Sequence, residues 1–251
     1  MKSTERHRIK EDQFVTTLQD TFERIEQNRK QLLTGIVALV VLAAAVGGFM
    51  WWRHQTQAKA SALFAAALAV AEAPVAPPSP PAGSTLNEAA PPPPPSNSYP
   101  TEQARAQAAL PKLMAAADAY PSTVPGLAAR YHAAATLVSL GKDADAEKRY
   151  LEVVEKAGSS LYGRMARLGL AEVQVRQKKY EPAINTLKEL STTAKDELPL
   201  DGVLMQLGRT YALAGRKAEA VQTYQRLTTE FPASGYAGDA KKALESLKAG
   251  A

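Results

Sequence analysis

The stretch LGRTYALAGRKAEAVQTYQRLTTEFP, Leu207 to Pro232, decides how the rest of the chain is read. Gly208, Ala220 and Pro232 recur every twelve residues, and Tyr211 and Tyr224 lie thirteen apart. Small residues on that beat, inside helix-favouring sequence, fit two antiparallel helices joined by a short turn. Such helices approach most closely where neither carries bulk. Gly208 and Ala220 are the expected contact, with tyrosines and leucines filling the space beside it. Pro232 ends the second helix, because the residue before a proline resists the α region.

The pattern repeats upstream at a step of 37 residues. Ala220, Ala183 and Ala146 form one column, and Tyr224, Leu187 and Tyr150 a second. Gly208, Ala171 and Ala134 form a third, Leu207, Leu170 and Ala133 a fourth, and Leu227, Leu190 and Val153 a fifth. One step further back, Ala109, Leu113 and Ala116 fill the same places. A period of this length with two helices per unit predicts an all-α fold, an α-solenoid in which each unit buries its apolar face against the next. The terminal stretch GYAGDAKKALESLKAGA places Tyr236, Ala240, Ala243, Leu244 and Leu247 on one face and charge on the other, as a capping helix requires.

The residues resemble the tetratricopeptide repeat. Leu207, Gly208, Tyr211, Gly215, Ala220, Tyr224 and Pro232 match its signature residue by residue. The units at 127–160 and 164–197 lack the first-helix tryptophan and the closing proline. Their 37-residue step exceeds the usual 34 of that family, through longer loops at Gly158–Ser160 and Asp196–Pro199. The repeat domain with its capping helix is expected over 101–251.

Ahead of the repeats, Leu32 to Trp52 is 21 residues without a charge. As a helix it would span ~31 Å at ~1.5 Å per residue, close to the thickness of a bilayer's hydrocarbon core. Trp51 and Trp52 stand where interfacial aromatics belong. A cleaved signal peptide fits less well: 31 residues precede the run, and two tryptophans and Arg53 separate it from the small-residue site Ala58-Lys59-Ala60. Residues 1–31 carry seven Lys/Arg, whereas Arg53 to Ala73 carries only Arg53 and Lys59. The excess places the N-terminus in the cytoplasm and the large C-terminal part outside. Within 1–31, Phe14, Leu18, Phe22 and Ile25 keep helical spacing, so a short amphipathic helix precedes the span. Ala43-x-x-x-Gly47 and Ala44-x-x-x-Gly48 put small residues on one face of the span, which would let two copies approach.

A membrane-proximal helix is expected over 53–73, followed by a proline-rich insert over 74–100 with eleven prolines in 27 residues. Proline lacks the N–H and fixes φ, so neither helix nor central strand is expected there, and a spacer is the simplest reading.

The full layout is a charged N-terminus, one span, a helix directly off the membrane and a repeat domain. It resembles the bacterial ancillary subunit of the SecYEG translocon, a family that shares its repeat type with the envelope's cell-division coordinator. The insert between Ala73 and Pro100 departs from that layout by splitting what would be the first helix pair. The resemblance implies an inner-membrane protein with a periplasmic repeat domain that binds translocon components or exported polypeptides. The alternative is a self-associating envelope scaffold linked to division or to cell-wall or outer-membrane assembly.

No catalytic constellation is evident. His7, His54 and His132 are far apart in sequence, and glycine-rich phosphate loops, His-Glu-x-x-His and Gly-x-Ser-x-Gly are absent. The chain has no cysteine. Asp143, Asp145 and Glu147 gather at a helix start, where the macrodipole accounts for them. A net charge of +5 without a long basic run gives no nucleic-acid footprint. No enzyme activity, cofactor or metal is therefore expected. In the tetratricopeptide fold the first helices line a concave groove. Here the corresponding positions are Tyr131, Ala135 and Val138, then Leu168, Glu172 and Val175, then Met205, Arg209 and Ala212. Each either faces a bound polypeptide or packs on the next unit.

Overall fold

A computed structural model describes residues 29–76, 95, 98–193 and 198–249. Among them are nine α-helices: α1 (Arg29–Ala71), α2 (Glu102–Ala119), α3 (Val124–Ser139), α4 (Asp143–Ala157), α5 (Leu161–Arg176), α6 (Tyr180–Thr193), α7 (Leu200–Leu213), α8 (Lys217–Glu230) and α9 (Ala237–Ala249). The amphipathic helix expected within residues 1–28 lies outside the described residues, as does most of the proline-rich insert. The chain divides into two compact units, Met1–Gln55 and Thr56–Ala251.

In the first unit, α1 is long and apolar enough to cross a membrane. Between Leu33 and Trp52 its large side chains are exposed: Leu39 is 69% exposed and Trp51 70%. Thr34 tucks its hydroxyl back onto the Lys30 carbonyl at 2.8 Å, so even its polar group is satisfied within the helix. The rings of Phe49 and Trp52 lie 6.2 Å apart. The expected segments 32–52 and 53–73 form one continuous helix up to Ala71.

In the second unit every residue of the five 37-step columns is buried, as are Ala109, Leu113 and Ala116 one step back. Helices pair in sequence as α3 with α4, α5 with α6 and α7 with α8, and α9 packs on α8. The last turns of α1 take the place of a first helix for α2: Phe64, Ala67 and Ala71 pack with Ala109, Leu113 and Ala133. The chain leaves and re-enters this pair through a narrow neck. Ala76 N–H donates to Tyr99 O at 2.8 Å, Tyr99 N–H donates to Pro74 O at 2.9 Å, and Arg105 Nη1 donates to Ala73 O at 3.1 Å. At the other end Ala237 and Ala240 are buried, and Ala243, Leu244 and Leu247 pack against the same core.

The tight turns inside the pairs have a common geometry. Gly141, Lys178 and Gly215 stand 37 residues apart and take φ of 71°, 60° and 75°. Only a left-handed residue brings the chain back so sharply, which glycine does without strain and lysine does not. Turns between pairs also recur. Thr123 and Ser160 cap α3 and α5, accepting from the N–H of Gly126 and Gly163. A Cβ on either glycine would run into the carbonyl of Tyr120 or Gly158, so the third residue of each of these helices has no room for a side chain.

Contact between helices departs from expectation in one respect. A Cβ added to Gly208 would meet the Tyr224 ring, 2.6 Å from Cε1. Ala220 is fully buried in the same core, but the glycine makes room for a tyrosine face. Tyr150, in the Tyr224 column, instead lies on Gly169 of the following pair, where a Cβ would come 2.5 Å from Cζ.

Successive pairs are laced by ions along the turn edge. Lys179 Nζ meets Glu147 at 2.7 Å, Arg176 Nε meets Asp143 at 3.0 Å, and Arg216 Nη1 meets Glu181 at 3.2 Å. The acidic helix start therefore does more than answer the macrodipole, because it holds the next unit's basic turn. Burial pushes the Glu147 carboxyl up, but hydrogen bonds from Lys179, Gln177 and Gln174 and the Lys179 charge overcome this and hold it below its ordinary value. Arg130 is 5% exposed and ties three helices together. It donates to Ala117 O at 3.2 Å and Asp118 at 3.0 Å, and meets Glu152 at 3.4 Å.

Candidate protein-binding groove

The first helices α3, α5 and α7 place their candidate residues at helical spacings of three and four, which stacks each set along one face. Three cavities lie in a row there. The first, about 760 Å³, opens between the end of α1, the start of α2 and α3, and is lined by Ala71, Arg105, His132, Ala135 and Thr136. The second, about 490 Å³, is lined by Tyr131, Ala135, Val138, Tyr150, Glu172 and Arg176. The third, about 350 Å³, is lined by Glu172, Val175, Arg176, Met205, Arg209, Leu213 and Tyr236. Ala135 and Ser139 belong to the first and second, and Glu172 and Arg176 to the second and third. The cavities thus form one continuous groove.

Of the sequence-predicted residues, Tyr131, Ala135, Val138, Glu172, Val175, Met205 and Arg209 line this groove. Met205 does so from the floor, 3% exposed and packed in the core. Leu168 and Ala212 are not in the walls of these three cavities; like Val175, they are half-buried against the core cluster.

The structure adds an aromatic group that spacing did not reveal. Tyr131 sits 5.8 Å from Tyr150 and 6.2 Å from Tyr162, ring centre to ring centre. His132 lies 5.4 Å from Phe64 and 5.6 Å from Tyr131. Burial raises the Tyr131 hydroxyl above its ordinary value, with Glu172 and Tyr162 adding to the effect. Burial, then Tyr131 and Glu172, do the same to Tyr150. Both phenols are therefore neutral hydrogen-bonding groups at the groove wall. Burial lowers His132, against the pull of Glu72. Tyr236 and Leu213 were also missed as groove residues, and they are 43% and 58% exposed. Tyr236 was expected on the apolar face of the capping helix, but it precedes α9 in a turn and stays exposed.

Chemically, the groove offers apolar surface with separated charges. Among the described residues no group of three His, Asp, Glu or Cys is placed to hold a metal ion.

The profile of the tetratricopeptide repeat-like domain family matches residues 25–249. The chain belongs to this tetratricopeptide repeat-like family. The match takes in α1 as well as the helix pairs. Two solved structures of TPR-like repeats, from a Podosopora anserina protein described as a kinesin light chain, are similar. One of the two carries a single glutamine-to-methionine substitution. Both are 17% identical, and the alignments cover 58% of this chain and 86% of theirs, with TM-scores of 0.47 for the substituted protein and 0.46 for the other. No curated protein sequence matches. Tetratricopeptide repeat domains bind proteins generally, and the chain carries such a domain.

Proposed function

We propose that this chain is a membrane-anchored, protein-binding subunit of the bacterial inner membrane that accompanies the translocon and assists exported polypeptides. The observation that carries the binding role is the unbroken groove along α3, α5 and α7, with apolar floor and sparse charge. The anchor reading is supported by the exposed apolar side chains of α1 between Leu33 and Trp52. The orientation rests on the basic excess before the span. The layout and the SecYEG resemblance supply the export context.

Two measurements test it. Protease added to the outer face of the inner membrane in spheroplasts should digest the repeat domain and spare the residues before Leu32. The reverse pattern would overturn the localisation. A photoreactive amino acid at Tyr131 should give adducts with exported chains arrested in transit. Adducts only with a second copy of this chain would favour the self-associating envelope scaffold instead.

A further inference from the structure

The middle cavity of the groove differs from its neighbours in being walled by aromatic rings. Tyr131 on α3 and Tyr150 on α4 both line it, their rings tilted by 58° to each other. Tyr150 is buried and lies on Gly169, so packing fixes its place, whereas Tyr131 is half-buried. The charges around this part of the groove do not cancel. Across the two cavities that α5 borders, the guanidiniums of Arg176 and Arg209 stand among the carboxylates of Glu172, Asp143 and Asp239. Arg176 Nε meets both Asp143 oxygens, at 3.0 and 3.1 Å, and Arg209 faces Asp239 at 3.9 Å. Glu172 is the carboxylate left over. It is exposed, lies in the wall common to both cavities, and is in no ion pair among the described residues. Its charge reaches the hydroxyls of Tyr131 and Tyr150, which it pushes further above their ordinary value. The carboxylate and the two rings therefore belong to one site.

Resting on the groove reading above, we infer that this cavity takes a cationic side chain of the bound polypeptide, lysine or arginine, held between the Tyr131 ring and the Glu172 carboxylate. The face of an aromatic ring is the negative part of its quadrupole, so it attracts an ammonium or guanidinium as the carboxylate does. The phenol oxygens, neutral at ordinary pH, accept hydrogen bonds from the same group. A space of about 490 Å³ admits a long side chain, and Ala135 and Val138 in its wall suit the apolar stem. An acidic side chain would meet Glu172 and the electron-rich rings. A purely apolar one would strip water from Glu172 and put nothing in its place.

The test uses the full chain in nanodiscs of zwitterionic lipid and three fluorescein-labelled twelve-residue peptides. They share one frame of Leu, Ala and Ser and differ only in a central Lys, norleucine or Glu. By anisotropy the lysine peptide should bind about three- to tenfold more tightly than the norleucine peptide, as one exposed ion pair and one cation–π contact together supply. The glutamate peptide should bind most weakly, although the chain's net charge of +5 would by itself favour it. Glu172→Gln should bring the lysine-to-norleucine ratio towards one. Tyr131→Leu should lower that ratio, and Tyr131→Phe, which restores the ring, should restore most of it. Circular dichroism of each variant verifies folding. Equal binding of the three peptides, or a lysine preference that survives both Glu172→Gln and Tyr131→Leu, would overturn this inference and leave the groove reading standing. Binding of none would overturn both.

Discussion

Tyr224 lies face-on to Gly208, so that a single added methyl would sit 2.6 Å from its Cε1. The relationship explains a column of the sequence that small size alone does not. Ala171 holds the Gly208 position one unit earlier, and there the partner column carries Leu187, which leaves room for a methyl. Gly208→Ala should therefore destabilise the solenoid by about 1–3 kcal/mol, the usual result of overpacking a filled core. The double substitution Gly208→Ala with Tyr224→Leu copies the Ala171 and Leu187 arrangement and should recover part of the loss. Denaturant unfolding of the four proteins measures the coupling. Strictly additive losses would show that the ring and the glycine do not depend on each other.

Lys178 occupies the left-handed turn position that Gly141 and Gly215 fill in the flanking units, at φ 60°. A side chain there costs roughly 1–2 kcal/mol, part of which glycine returns through the greater freedom of its unfolded chain. Lys178→Gly should raise stability by about 0.5–1 kcal/mol in the same unfolding assay. Lys178→Ala should give no comparable gain, because alanine keeps the Cβ.

His132 gives the fold a pH dependence whose sign follows from its surroundings. Burial between Phe64 and Tyr131 disfavours the charged ring, and the Glu72 charge opposes this without overcoming it. The folded value lies below the unfolded one, about 6.5. The neutral form's contribution is complete above that unfolded value and is lost as pH falls through the folded one. Stability should decline as pH falls below the unfolded value, and His132→Gln should flatten that part of the profile. A wild-type profile no steeper than the variant's would contradict the assignment.

Much of the repeat architecture is legible in sequence because close helix packing restricts residue size at fixed intervals. The 37-step columns at Ala146, Ala183 and Ala220 carry that restriction, and all three are fully buried. The rest depends on contacts without a period. Tyr150 and Tyr224 share a column yet settle on glycines in different places, Gly169 in the next pair and Gly208 in its own. Lys179 and Arg216 stand 37 residues apart, but their acidic partners Glu147 and Glu181 lie 32 and 35 residues away, at unequal offsets that no period announces. Of the candidate groove residues, helical phase placed Tyr131, Val138, Val175 and Arg209 at the cavities. It could not tell that Leu168 and Ala212, on the same nominal face, fall outside the cavity walls while Val175 does not. Helical spacing put Tyr236 on the face of the capping helix, but the helix begins one residue later, at Ala237, and Tyr236 belongs to the turn ahead of it.

The groove itself is tested most directly by site-resolved photocrosslinking in the full-length protein. A photoreactive phenylalanine replaces Val138, Val175 or Arg209 on the first helices, or the exposed Leu151, Glu155 or Lys188 on the second helices, one at a time. Polypeptide adducts should form from the three groove positions and be several-fold weaker from the other three. Equal yields from both sets, or adducts confined to α4 and α6, would contradict a binding role for the groove.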